Sequence, residues 1–361
     1  MRRIYSLAIC FLLSALCVLN FGLIGCGNEK YSSTSFTCFN TDVYVYTNVE
    51  LDANTINEIK SICYDLESQI SLTLDGSCIK AFNQSQTTTN LTSDATYLIK
   101  RAKECHQLTG GAFNPAVYPL TVLYGFSADT FDPLLSPYAP PAKSIVQKYL
   151  PIIDFDKVTL NQADKTLTKE QPEIQIDLGG IAKGYAVDKI KALLTSKGAS
   201  KGFINVGGSS IYVLGYDKGL SVKHPRNLEN YILKINTKDL SDAPLSTSGD
   251  YVRYYLDVNE NRYCHIIDSK TGLTANTGLV SVTVIADKVT DQNKKSALFT
   301  DAISTSLMIM EKDDMINFVK QNLVGFSVYA VYNKDGTKQI ITNADTDNFT
   351  VIDTDYKVFK F

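Results

Sequence analysis

The stretch Asp177-Leu-Gly-Gly-Ile-Ala-Lys-Gly-Tyr-Ala-Val-Asp188 sets two adjacent glycines and a lysine between two carboxylates. Before it, Ile174, Ile176 and Leu178 alternate as in a strand. After it, Ala186, Ile190 and Leu193 recur at helical spacing. The glycines therefore fall where a strand becomes a helix. Glycine lets a backbone approach a ligand closely, and a helix start offers unpaired N–H groups to an anion. Lys183 adds a point charge beside them. This chemistry suits a phosphate-bearing ligand. The same residues also describe a tight turn carrying a surface lysine, and the stretch alone does not choose.

Two further places carry reactive side chains. Tyr263-Cys-His-Ile-Ile-Asp268 runs as a strand into the turn Ser269-Lys-Thr-Gly272, which puts His265 and Asp268 near a strand end, where functional residues often sit. The chain has 3 histidines. His106 reads as a polar-face residue of a helix, and His224 precedes Pro225 in a turn. Asp301 and Thr305 lie four apart on one helical face. Carboxylate with hydroxyl is hard-oxygen chemistry suited to Mg2+; a capping Asp with a back-bonded Thr is the plainer account of the same pair.

The elements that would position these groups follow from periodicity. Val43 and Val45 mark a strand over 42–47, and Ile56, Ile59, Cys63, Leu66 and Ile70 mark a helix. A second helix spans 94–108, with Thr92 or Ser93 to cap it and Gly110 to end it. Residues 111–126 and 133–141, broken by prolines, read as loops, followed by a short helix to Tyr149. Strands are expected at 157–160, 202–206, 211–214, 220–223, 231–235, 251–257, 262–267, 280–286 and 327–332, and helices at 297–310 and 315–322. Strands and helices interleave without a regular repeat, so the fold class is α+β: mixed or antiparallel sheets with flanking helices in one unit, with room for two lobes.

The chain of 361 residues is 44% hydrophobic, enough for a substantial core, and its net charge of −3 leaves no basic footprint for nucleic acid. Arg2 and Arg3 precede an apolar run from Ile4 to Ile24 that ends in Leu23-Ile-Gly-Cys26. This is similar to a bacterial lipobox, in which the cysteine carries lipid and becomes the mature N-terminus; an uncleaved anchor helix is the other reading. Residues 1–25 are thus expected to be a lipoprotein signal, 26–36 a lipidated polar tether, and 37–361 the folded unit, held on the extracytoplasmic face of the cell membrane. Beyond Cys26 the cysteines are Cys38, Cys63, Cys78, Cys105 and Cys264. No pair has metal-ligand spacing, and Cys63 and Cys105 read as small core residues. A disulfide is chemically open but unassigned.

In order along the chain, these stretches resemble the ApbE family, the FAD:protein FMN transferases of bacterial envelopes. The resemblance runs from Phe39 to Met310 and is strongest over 177–188. It also covers Gly111-Ala-Phe-Asn-Pro115, Asn205-Val-Gly-Gly208, Ser248-Gly-Asp-Tyr251, His265-Ile-Ile-Asp268, Ser281-Val-Thr-Val-Ile-Ala286 and Asp301-Ala302 with Thr305. It implies a single ApbE-like domain. It implies that Asp301 and Thr305 bind Mg2+ (or Mn2+; the sequence does not separate them), with the Gly180 carbonyl and a contact from Ser304. It implies that Asp177 and Lys183 touch FAD, that Phe39, Asn83, Tyr124, Gly125, Phe126 and Ile267 line the flavin site, and that His265 transfers the proton. The sequence departs from the family pattern at Tyr124, Phe39-Asn40, Asn114 and Ser269, none of them a proposed metal ligand.

The implied reaction moves FMN from FAD to a threonine or serine hydroxyl of an acceptor protein of extracytoplasmic electron transfer, with release of AMP. Mg2+ and Lys183 would neutralise the diphosphate, and a near-neutral histidine suits the hydroxyl's proton. An FAD pyrophosphatase, with water as attacker, would use the same site. A non-catalytic flavin-binding lipoprotein would need neither metal nor base.

Overall fold

Strands and helices contribute in nearly equal measure to this protein, a computed structural model describing residues 30–361 apart from 128, 239 and 241. The leader and Cys26 lie outside the described residues. The hairpin β1 (Ser32–Cys38) and β2 (Thr41–Thr47) leads to α1 (Ala53–Ile70), α2 (Cys78–Gln84), β3 (Thr88–Asn90) and α3 (Ser93–Leu108). Next come α4 (Tyr118–Leu123), α5 (Lys143–Tyr149), β4 (Val158–Asn161), β5 (Thr166–Lys169) and the central helix α6 (Gly179–Ser196). Strands β6 (Gly202–Val206), β7 (Ser210–Leu214), β8 (Leu220–His224), β9 (Asn227–Ile235) and β10 (Asp242–Gly249) follow. After them come β11 (Tyr254–Leu256), β12 (Arg262–Cys264), β13 (Leu279–Ile285), α7 (Ala297–Met308) and α8 (Lys312–Asn322). The chain closes with β14 (Ser327–Lys334), β15 (Thr337–Thr342), β16 (Phe349–Val351) and β17 (Lys357–Lys360).

Among the described residues the main sheet has 9 strands in the order β1-β2-β6-β7-β10-β13-β14-β15-β17. Its pairs are antiparallel except β15 with β17. One face, with Val43, Val45, Ile204 and Val206, joins α1, α6 and α7 in the principal core. The opposite face is covered over its middle by the small sheet β16-β9-β8, where Val213, Leu233, Ile235, Leu245 and Tyr329 are buried together. Strand β13 is buried along its whole length, as expected of a strand covered on both faces. A third, aromatic cluster holds Leu120, Tyr124, Phe126, Tyr138, Tyr255 and Ile267. The α+β reading holds, and the long helices fall where their apolar spacing put them.

Several local expectations are corrected. The polar tether expected over 26–36 gives way at Ser32: Ser32–Ser35 belong to β1, because they pair in register with Tyr44–Thr47. Residues 174–178 are not a strand. Ile174, Ile176 and Leu178 are buried, but side chains take the place of a ladder: Asn83 accepts from Ile176 N at 2.8 Å and donates to its carbonyl at 2.9 Å, and Lys169 donates to the Ile174 carbonyl. The stretch 111–126 is not one loop, since Pro115 and Pro119 open a 3-10 turn and α4, where a missing N–H costs nothing. The strand expected over 251–257 shrinks to β11, and the one over 262–267 to β12.

Strand β10 itself was not foreseen. It contains Pro244, and its hydroxyls are spent sideways: Ser246 bonds Thr300 at 2.9 Å and Thr247 bonds Thr283 at 2.8 Å. His106 is buried rather than on a polar face, its Nδ1 2.7 Å from the Phe113 carbonyl. All five cysteines from Cys38 onward are buried free thiols.

Candidate functional site

Helix α6 starts at Gly179 itself, so the two glycines form its first turn. Asp177 Oδ1 accepts from Gly179 N at 2.7 Å and satisfies one of the helix's unpaired donors. Lys183 folds back one turn to donate to the Gly179 carbonyl at 2.8 Å, and its stem packs beside Gly207, whose φ of +71° makes the turn between β6 and β7. Thr41, at the start of β2, lies against the same glycine. The amine, the Gly207 turn and the β1–β2 tip carrying Phe39 thus converge at one end of the sheet. Phe39 sits at φ 54° with its N–H on Glu67 at 2.9 Å.

Helix α7 meets α6 at this point. Asp188 accepts from Ala297 N at 2.7 Å and from Leu298 N at 3.0 Å, so a carboxylate of α6 caps the first turn of α7. A Cβ on Gly184 would stand 2.2 Å from the Ala297 carbonyl oxygen, so only glycine permits this approach. The close contact brings Asp301 Oδ2 within 3.1 Å of Gly184 N and 3.9 Å of Lys183 Nζ. In a regular helix the Gly184 N–H turns to the Gly180 carbonyl; here Asp301 competes for it. Gly180 faces Thr305, whose Oγ1 lies 3.8 Å from an added Cβ.

The hydroxyl protons can be assigned. Ser304 and Thr305 each donate to the Asp301 carbonyl at 3.1 Å. Ser248, from β10, lies 2.8 Å from Ser304 Oγ and 3.1 Å from Thr305 Oγ1. A hydroxyl has one proton and two lone pairs, so Thr305, having given its proton to a carbonyl, keeps acceptor capacity. Asp301 Oδ1 takes no hydrogen bond from the described residues, although Asp301 is 3% exposed. No group of three or more His, Cys, Asp or Glu that could hold a metal occurs among the described residues. A cation here would be held by one carboxylate, hydroxyls and carbonyls, a set that fits Mg2+ and not a softer metal.

His265 follows directly on β12. Its N–H donates to the Arg253 carbonyl at 3.1 Å, and its Nδ1 lies 3.2 Å from the same oxygen. A carbonyl only accepts, so Nδ1 carries the proton and Nε2 is left with a lone pair. Burial, then the charge of Arg253, push the imidazole down to about 4, with the Arg253 carbonyl pulling the other way and Lys183 adding to the depression. Burial raises the Asp177 carboxyl against the Gly179 N–H and the charges of Lys183 and Arg253. Lys183 and Arg253 therefore act on both residues. Asp268 has its carboxylate spent on its own turn, taking Lys270 N at 2.9 Å and Thr271 Oγ1 at 2.8 Å.

The remaining expected residues fall in two places. Tyr124, Phe126 and Ile267 join the aromatic cluster, and the Gly125 carbonyl accepts from Tyr255 at 2.9 Å. Asn83 is buried with its amide committed to Ile176, so it holds the segment leading into α6. Two surface cavities, of about 260 Å3 beside Asp287 and Tyr329 and about 450 Å3 beside His224 and Asp353, flank the small sheet and include none of these residues. Sequence reasoning missed Arg253 and the bonding role of Ser248. Both lie within or next to the Ser248–Tyr251 stretch, and the period-two spacing of Ser246 and Ser248 was the available signal.

A profile of the ApbE family matches residues 37–330. The chain is 26% identical over 290 residues to an FAD:protein FMN transferase of Haemophilus influenzae, covering 78% of this chain and 79% of that protein. It is 28% identical over 301 residues to one from Vibrio cholerae, covering 81% and 84%. Among solved structures it is similar to the flavin transferase ApbE from Vibrio cholerae, with TM-score 0.70, 25% identity, and 85% and 94% of the two chains covered. It is also similar to the ApbE protein from Thermotoga maritima, with TM-score 0.72, 27% identity, and 84% and 94% covered.

Proposed function

The chain belongs to the ApbE family, and from that premise we propose that it is an FAD:protein FMN transferase, joining FMN to a threonine or serine hydroxyl of an acceptor protein and releasing AMP. The observation that carries this reading is the contact of α6 with α7, where Gly180, Lys183, Asp301 and Thr305 meet. Asp301 Oδ1, Thr305 Oγ1 and the Gly180 carbonyl would hold Mg2+, with Ser304 and Ser248 fixing the hydroxyls. Bound there, Mg2+ supplies Lewis-acid neutralisation of phosphate oxygens.

The chain's own residues do the rest. Lys183, tied to the first turn of α6, sets a positive charge beside the glycines that a diphosphate can approach. His265 offers Nε2 to the acceptor hydroxyl. As the hydroxyl oxygen bonds the FMN phosphorus, the phosphorus–oxygen bond to AMP breaks, the proton passes to Nε2, and AMP leaves as the anion. Tyr124, Phe126 and Ile267, 3%, 2% and 6% exposed, would back the flavin site from within the aromatic cluster. Lipidation at Cys26 and attachment to the extracytoplasmic membrane face complete the reading, motivated by Leu23-Ile-Gly-Cys26.

The test is to incubate the protein with FAD, Mg2+ and a candidate acceptor and weigh the products. The acceptor should gain the mass of FMN as AMP appears, chelation should stop this, and Asp301→Ala should fail at ordinary Mg2+. Free FMN with unmodified acceptor would make the protein a pyrophosphatase. FAD retained intact would make it a carrier. Normal transfer by Asp301→Ala would remove the metal assignment.

A further inference from the structure

The outer face of the main sheet is covered by the small sheet over its middle strands, and toward the β1-β2-β6 end the cover thins to Tyr46 and Phe203, which pack half-buried against the edge of that cluster. That end carries rings. Tyr31 stacks on Tyr46 with centroids 4.9 Å apart and planes 2° from parallel. Phe203 lies 5.5 Å from Tyr44, 5.7 Å from Tyr46 and 5.1 Å from Tyr216. Tyr44, Tyr46 and Phe203 are half-buried and Tyr31 is 39% exposed. The neighbouring outward residues of β1 are Ser33, Ser35 and Thr37, small and uncharged. The result is a contiguous aromatic surface rimmed by hydroxyls, the kind of patch that marks an interaction site.

We propose that this face rests on the lipid bilayer. The inference rests on the lipid-anchor reading of Cys26 and adds an orientation to it. Tyr31 is five residues beyond Cys26, and a chain of that length spans at most about 18 Å when fully extended. A lipid on Cys26 therefore keeps the Tyr31 stack within that distance of the headgroups. Tyrosine is the side chain enriched there, its ring apolar and its hydroxyl wet. The register fixes where the candidate site stands on the sheet. Tyr46 pairs with Phe203 on this face. Thr41, beside Gly207 and Lys183, lies five residues along that strand, about 17 Å further on. The candidate site thus lies about 17 Å from the ring stack along the sheet, beside the bilayer-facing patch and not beneath it.

The chain has 0 Trp, so one substitution gives a unique fluorescent reporter. Full-length Phe203→Trp, and separately Tyr44→Trp, is purified from membranes, the lipid on Cys26 is verified by intact mass, and the protein is placed in vesicles of brominated phosphatidylcholine. Both reporters should lose most of their emission relative to unbrominated vesicles. Tyr97→Trp, at a ring 43% exposed on α3, should lose none. Lipid on Cys26 with Phe203→Trp and Tyr44→Trp as bright as Tyr97→Trp would overturn the membrane face while leaving the anchor intact. Emission that instead changes with protein concentration and ignores bromine would assign the patch to a second copy and overturn it too. A mature chain without lipid would overturn the anchor and this inference together.

Discussion

The N–H of Gly184 donates to Oδ2 of Asp301 at 3.1 Å, joining the backbone of one helix to the carboxylate of another. The bond exists because Gly184 has no Cβ to hold the α7 backbone off. Gly184→Ala must push the helices apart and should destabilise the fold by about 1–3 kcal/mol, as overpacking does. It should also raise the Mg2+ needed for transfer, because Gly180 and Thr305 separate with the helices. Urea melts and metal titration of activity would check both. A variant with wild-type metal demand would show that this contact does not build the site.

His265 is neutral over the physiological range, held down by burial and by Arg253 and Lys183. The acid limb of kcat/KM should therefore lie near pH 4, since kcat/KM reports the free enzyme. His265→Ala should lose about a hundred- to ten-thousand-fold in rate, the usual cost of losing a general base, with FAD binding retained. A pH–rate profile and FAD titration of both proteins measure this. An acid limb unchanged in position in the surviving activity of His265→Ala would assign it to another group.

Arg253 acts on the site through charge as well as through its carbonyl. Its positive charge lowers both His265 and Asp177. Removing it in Arg253→Gln should move the acid limb of kcat/KM upward in pH. The KM for FAD should also rise, since one cation close to Asp177 and His265 is lost from the site. A raised KM with no movement of the limb would contradict the charge coupling, because the backbone bond to His265 survives this substitution.

Asp188 ties the two helices and is pushed up to about 7, chiefly by burial and against the two N–H groups it caps. The unfolded carboxyl titrates near 3.8. Between these values the folded protein binds the extra proton, so this residue's contribution to stability is full below about pH 4 and is lost as pH rises through 7. Asp188→Asn cannot titrate, so the wild type's unfolding midpoint should fall relative to the variant's as pH is raised from 5 to 7. Parallel midpoints across that range would exclude the coupling.

What the sequence revealed followed from local period. Helices α1 and α3 declared themselves through Ile59, Cys63 and Leu66 and through Leu98, Ala102 and Cys105, residues whose burial needs only a face. The segment 174–178 alternates like a strand but is laddered by Asn83 and Lys169, and no pattern within the segment distinguishes a side-chain partner from a backbone one. Strand β10 hid because its inward positions are hydroxyls bonded to Thr300 and Ser304, partners visible only when α7 lies across the sheet. For the same reason Ser248 could be noticed as part of a stretch, but its bond to Thr305 could not. The first strand hid in a serine-rich segment because an edge strand needs little apolar surface.

The register of β2 against β6 has a consequence for how the chain comes to be folded. Val43 pairs with Val206, and the Gly184–Asp301 bond closes a loop of 117 residues. Contacts so distant in sequence are reached slowly, since the entropy of closing the loop is lost before the contact rewards it. The helices can form early and locally, and α7 alone carries Asp301 and Thr305, but Gly180 lies on α6, so no single segment completes the metal set. A nascent chain can pair β1 with β2 at once, but the other edge of β2 waits for β6 after residue 200, and the site waits for α7 to dock. Refolding after denaturant removal should accordingly restore helical circular dichroism well before it restores metal-dependent transfer.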